Sequence, residues 1–235
     1  MKLFGKIGLS ILVFMLIATN YCWANPMAVA KEALDQGDCE KAEQALQEFV
    51  KTDRYNAFLY VWGISIIQAS DQSTCPDFDI NFINDGIAFS EENGLKNYFL
   101  YEERANIWAQ KMEYENALAD YSKSIELEAG YSNLGAMAWF RATCPDANYR
   151  NGEEAVEYGL QAIEKRGKEA EGDFKILAAA YAEAGNFPEA IQAQEKALTL
   201  LKDKTYSNLQ EIQTQYEEYL ASYKADTPWR MESPK

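Results

Sequence analysis

The sequence predicts an all-α fold: a solenoid of about five helical hairpins with a C-terminal capping helix. Three observations carry that expectation. Small and apolar residues recur at i, i+3, i+4 and i+7 along most of the chain, the period of one helical face. Gly- or Pro-bearing punctuation interrupts that pattern about once per helix. A small residue opens each candidate second helix in a series, Ala42, Gly86, Ala117, Ala155 and Ala190, at spacings of 44, 31, 38 and 35. These scatter around the ~34 residues of a two-helix repeat.

The elements follow in order. Residues 1–24 carry Lys2 and Lys6, an apolar run from Ile7 to Ala18, and small or neutral residues ending at Ala24. That is the layout of a signal peptide, with cleavage expected between Ala24 and Asn25. The apolar run falls short of the ~20 residues that span a bilayer as a helix. Cys22 follows the bulky Tyr21, unlike a lipidation site. One solenoid domain is expected over 25–225. In "AKEALDQGDCEKAEQALQEFV", Gly37 separates two helices and Ala42 opens the second. A second hairpin places an apolar helix before Gly86, and a third spans "YEERANIWAQKMEYENALADYSKSIELEAG". The fourth has a first helix through Trp139, a longer turn, then Ala155 and Ala162; the fifth turns at Gly185-Asn186. Leu209, Ile212, Tyr216, Tyr219, Leu220 and Tyr223 lie on helical spacing and fit a closing helix. Residues 226–235, "DTPWRMESPK", read as a flexible tail, with docking of Trp229-Arg230 back onto the chain or onto a partner as the alternative.

Two stretches carry a family resemblance. Phe174-x2-Leu177-Ala178-x2-Tyr181 is followed by Gly185, Ala190, Gln194 and Ala197. Tyr101-x2-Arg104-Ala105-x2-Trp108 is followed by Ala117-x3-Tyr121. Both resemble the tetratricopeptide repeat (TPR) signature, and the resemblance covers roughly 27–203. Arg104 stands where that family prefers leucine, and Gln194 replaces an aromatic. The turn in "ATCPDANYRNGEEAVE" resembles one found in exported bacterial TPR proteins.

One tetrapeptide occurs twice, Thr74-Cys75-Pro76-Asp77 and Thr143-Cys144-Pro145-Asp146. Each cysteine precedes the small residue of its hairpin, Gly86 or Ala155, by 11 positions, which places both copies in interhelix turns. Proline disfavours helix at the residue before it, and aspartate can bind nearby backbone amides. Asn151 with Glu154 reads as the start of the following helix. In the repeat register Cys39 and Cys75 are neighbours at one edge of the stack, so a Cys39–Cys75 disulfide is expected, with Cys144 left as a free thiol.

Composition excludes much chemistry. Histidine is absent, which removes the commonest general base and zinc ligand. No C-x-x-C occurs. Removing Lys2 and Lys6 with the leader leaves 20 bases against 37 acids, a net charge of −17. Such a chain repels nucleic acid and anionic membrane surfaces and steers toward cationic partners. We expect no catalytic residues, no metal, no cofactor, and no membrane span once the leader is cleaved.

The resemblance implies a concave groove lined by the first helix of each hairpin. Residues expected off the packing stripe are Glu102, Asn106 and Gln110 in the third hairpin, Trp139 and Thr143 in the fourth, and Lys175 and Glu183 in the fifth. Trp139 is either a partner's anchor or core between hairpins. The expected function is a periplasmic or secreted, non-catalytic scaffold that binds a peptide or protein partner in this groove. The alternative is a module binding a small ligand or cell-wall fragment.

Overall fold

Side-chain caps and left-handed turns fix the helix boundaries that periodicity only approximates. The computed structural model describes residues 26–51, 57–68, 75 and 77–231. The leader expected over 1–24, and Pro76 of the first tetrapeptide, lie outside the described residues. Helix α1 runs over 26–35. It is followed by α2 (Cys39–Val50), α3 (Ala57–Gln68), α4 (Phe78–Glu92), α5 (Tyr98–Gln110) and α6 (Tyr114–Leu127). Then come α7 (Tyr131–Thr143), α8 (Gly152–Arg166), α9 (Glu171–Glu183), α10 (Phe187–Leu201) and α11 (Leu209–Lys224). All regular structure among the described residues is helical. The fold class is therefore the expected one, an α-α solenoid of helical hairpins with α11 as a final single helix. One continuous domain over 25–225 is the sequence expectation; the chain divides into two compact units, 1–100 and 101–235.

In the first unit, α3 and α4 pack by exchanging rings for glycines. A methyl group on Gly63 of α3 would lie 2.4 Å from the Phe82 ring of α4. One on Gly86 of α4 would lie 2.8 Å from the Tyr60 ring of α3. The two rings meet at 5.3 Å between centroids. This corrects the repeat ruler. Ala42, Ala117, Ala155 and Ala190 are each the fourth residue of their helix, whereas Gly86 is the ninth of α4. Gly86 is small because Tyr60 sits on it, not because it opens a second helix. The 11-residue offset shared by the two tetrapeptides therefore does not mark equal places in the hairpin. Cys39, the first residue of α2, is bonded to Cys75, with their Cα atoms 5.7 Å apart. That is the expected pair, and its spacing suits a disulfide.

The second unit is built on small side chains. Ala178, Ala182, Ala190, Ala193 and Ala197 pack with Tyr216, Tyr219 and Tyr223 of α11. Ala142, Ala155, Ala179 and Ala180 form a neighbouring cluster. Gly152, at the start of α8, has no space at all: a methyl group there would lie 2.3 Å from the Ala184 backbone nitrogen. Both departures from the TPR pattern have local causes. Arg104 donates two hydrogen bonds, 2.7 and 2.8 Å, to the buried Asp120 of α6. Gln194 is fully buried and its amide donates to the Tyr216 carbonyl at 3.0 Å, tying α10 to α11.

The two tetrapeptides fold differently. Asp77 sits at φ 61° directly before α4 and makes no side-chain cap. In the second copy α7 ends at Thr143 and the Asp146 carboxylate accepts from the Asn148 amide at 2.9 Å. A single 3-10 turn, Ala147–Tyr149, follows, and Asn151 caps α8 by accepting from the Glu154 amide. Glu154 does not complete a capping box; its carboxylate takes Arg141 at 2.7 Å. Cys144 is free and fully buried, and burial foremost pushes its thiol pKa up. That environment makes it inert at neutral pH.

Two outcomes test this packing. Non-reducing peptide mapping shows a Cys39–Cys75 crosslink, and reduction lowers the unfolding free energy by about 2–4 kcal/mol, as expected for a loop of this size. Gly152→Ala destabilises the chain by about 1–3 kcal/mol, because the added methyl meets backbone that has nowhere to go. Gly172→Ala, where a methyl group meets nothing within 4 Å, serves as the neutral or mildly stabilising control in the same denaturant titration.

Candidate partner-binding face

Helices α5, α7 and α9 are the first helices of their hairpins and carry the expected groove positions, of which Glu102 and Thr143 are buried. Four of the seven are gathered in one place. Trp139, half-buried on α7, has the Lys175 ammonium of α9 over its ring at 4.1 Å. Thr143 ends α7, its hydroxyl donating to the Trp139 carbonyl at 2.7 Å. Glu183 ends α9 and accepts from Arg150 at 3.0 Å. Trp139 also touches the alanine clusters on either side, so it is both part of the packing and an open surface.

The chain's own C-terminal segment touches three of the four, Trp139, Thr143 and Glu183. The tail expected to be flexible is seated over residues 227–231; residues 232–235 lie outside the described residues. After α11 the chain reverses at Asp226, whose φ is 51°. The Thr227 amide donates to the Ser222 carbonyl at 3.0 Å, and the Ser222 hydroxyl donates to the Thr227 carbonyl at 2.6 Å. Pro228 then sets an extended course. The Trp229 ring packs against Trp139, 5.3 Å away, and Tyr219 of α11, 4.7 Å away, which themselves meet at 6.3 Å, so the three rings form one cluster. Arg230 pairs with Glu183. The Met231 amide donates to the Thr143 carbonyl at 3.0 Å, and the Met231 side chain packs against the cluster of Ala105, Ala117 and Phe140. The physical reason for the ordering is this sum: an aromatic cluster, an ion pair, a backbone hydrogen bond and the packing of Met231 offset the entropy of holding five residues.

The receptor for Arg230 is assembled by the second tetrapeptide. Arg150 donates to the Cys144 and Pro145 carbonyls at 2.8 and 3.0 Å while holding Glu183. The turn thus fixes Arg150, Arg150 fixes Glu183, and Glu183 takes the tail. Burial pulls the Arg230 guanidinium below its ordinary range, with Glu183 opposing. Burial also lowers the Lys175 ammonium.

The third hairpin's residues stand apart from the tail. Glu102 is buried and accepts from the Ser132 hydroxyl of α7 at 2.5 Å. Asn106 accepts from the Tyr121 hydroxyl of α6 at 2.7 Å and so serves its own hairpin. Gln110 is exposed. Burial raises the Glu102 carboxyl above its ordinary range; the neighbouring Glu103 adds to this and the Ser132 bond opposes it. Sequence reasoning missed Arg150, placed Tyr219 only in the closing helix, and preferred a mobile end to docking of Trp229-Arg230. A single tryptophan in an otherwise polar decapeptide was the available signal for the tail.

No helix among the described residues is long and apolar enough to cross a membrane. No family model and no curated protein matches the chain. Among solved structures the fold is similar to yeast Tom70, a TPR-repeat protein, with a TM-score of 0.63 and 17% identity. That match covers 89% of this chain and 41% of the Tom70 chain, so the chain spans less than half the length of that neighbour. The likeness is one of fold: the chain has a TPR-like architecture.

The raised Glu102 carboxyl sets a pH dependence with a definite sign. The folded state binds a proton more tightly than the unfolded state here, so this residue's contribution falls as pH rises through its elevated folded pKa. Glu102→Gln keeps an acceptor for Ser132 and removes the charge. It raises the melting midpoint at pH 7, and the gain shrinks as the buffer is brought down toward the ordinary carboxylate pKa.

Proposed function

We propose that this protein is an exported, non-catalytic interaction scaffold that binds an extended peptide or protein segment on the face formed by α7 and α9. One observation carries the reading: this face already holds an extended pentapeptide, residues 227–231. It does so by the three means peptide grooves use, an aromatic anchor, a charge pair and a backbone hydrogen bond. Trp139, Thr143 and Glu183 are the contact residues, with Lys175 over the Trp139 ring; on α5, Gln110 is exposed while Glu102 and Asn106 bond to their helical neighbours. The TPR-like architecture supports a protein partner over a small ligand. Export is supported by the leader layout of residues 1–24 and by the Cys39–Cys75 disulfide, which persists in oxidising compartments.

The test uses the full chain with Trp229 and Arg230 both replaced by alanine, which clears the face. Displayed random peptides are selected against it. The expected outcome is enriched peptides whose affinity drops at least tenfold on further Trp139→Ala replacement, the behaviour of an interface hot spot. If no peptide is enriched while muropeptide fragments raise the melting midpoint, the small-ligand reading replaces this one.

A further inference from the structure

We infer that the C-terminal segment Thr227–Met231 is a resident, displaceable occupant of the α7/α9 face, and that the partner is an extended segment bearing an aromatic residue followed by arginine. The inference rests on the proposed scaffold reading and adds its regulation and its ligand class.

Four observations support it. The segment makes no helix and no apolar core of its own; it lies extended, with Trp229, Arg230 and Met231 each only half-buried. Its hold consists of one ring contact, one ion pair, one backbone hydrogen bond to the face and the packing of the Met231 side chain. Such contacts bring a tethered segment into place through high effective concentration, and a free peptide with the same side chains competes for them directly. The receptor for its arginine is prepared independently of the tail: Glu183 is held by Arg150, and Arg150 by the carbonyls of Cys144 and Pro145. A carboxylate positioned in this way awaits a guanidinium from any source. Finally, the net charge of −17 after leader removal favours approach of a basic segment. The side chains of the segment define the competitor: an aromatic ring to pack against the touching Trp139 and Tyr219 rings, then a guanidinium for Glu183, then a free backbone amide for the Thr143 carbonyl.

The probe is a fluorescent synthetic peptide of residues 225–235, added in trans to the full chain. Wild type is compared with the Trp229→Ala/Arg230→Ala chain. The expected result is at least tenfold tighter binding to the double variant, the change produced when an occupant that fills the face nine-tenths of the time is removed. A peptide carrying glutamate in place of Arg230 loses at least tenfold against the same chain. Should the double variant fail to fold, the full chain with Arg230→Glu alone expels the segment by repulsion from Glu183 and gives the same comparison. Equal affinity of the probe for wild type and variant overturns the gate and leaves the scaffold reading intact. No binding of the probe to a folded, cleared chain that still takes library peptides overturns the aromatic–arginine ligand class. Absence of any peptide binding to the cleared chain overturns this inference and the scaffold reading together.

Discussion

Close helix approach is the constraint on which the second unit depends. Ala142, Ala155, Ala178, Ala180, Ala182, Ala190 and Ala197 have no exposed surface, and Gly152 touches the end of α9 through its backbone. Helices that meet through alanine and glycine gain dispersion contacts over their whole length but leave no slack. Their relative rotation is therefore fixed, and so is the face on which Trp139, Lys175 and Glu183 come together. The first unit reaches the same closeness by another route, seating the Tyr60 and Phe82 rings over Gly86 and Gly63.

Polar ties add direction rather than much stability. Arg104–Asp120, Arg166–Asp173 and Arg150–Glu183 are largely shielded from solvent. For such pairs the desolvation cost cancels much of the attraction, so their main effect is to specify geometry. Arg166 joins the end of α8 to the first turn of α9 by two hydrogen bonds to Asp173. Arg150 does more, since it connects a turn to the carboxylate that takes the tail. Glu183 answers to two guanidiniums, one resident in the turn and one from the tail. The cysteine of the second tetrapeptide is buried, and the contribution of this turn is the pair of carbonyls that orient Arg150.

The C-terminal segment changes how the face is read. A groove residue with no partner invites a search for one; here the chain supplies it. Trp139 is packed between alanine clusters on one side and presents its ring to Trp229 on the other. Core and anchor are therefore two sides of one indole. The proposed function treats the bound tail as a guide to what an external ligand looks like, and the proposed gate treats it as that ligand's competitor.

The sequence by itself determined the helices, because a 3.6-residue period and small residues at fixed offsets reflect local physics that every hairpin obeys. It also determined the Cys39–Cys75 pairing, through neighbouring positions in the repeat register. The helices that carry Trp139, Thr143, Lys175 and Glu183 were legible for the same reason; that these residues gather in one place was not. Only the tertiary structure decided the rest. Gly86 was misplaced in the repeat because a glycine that opens a helix and a glycine that receives a ring look alike in one dimension. Asn106 turned toward its own hairpin because Tyr121 comes from a second helix whose rotation the period does not give. Trp229, Arg230 and Arg150 were not visible as a set. They are separated by about eighty positions and meet because a left-handed residue after α11 reverses the chain. Contacts between distant segments depend on that reversal, and no periodic pattern encodes it.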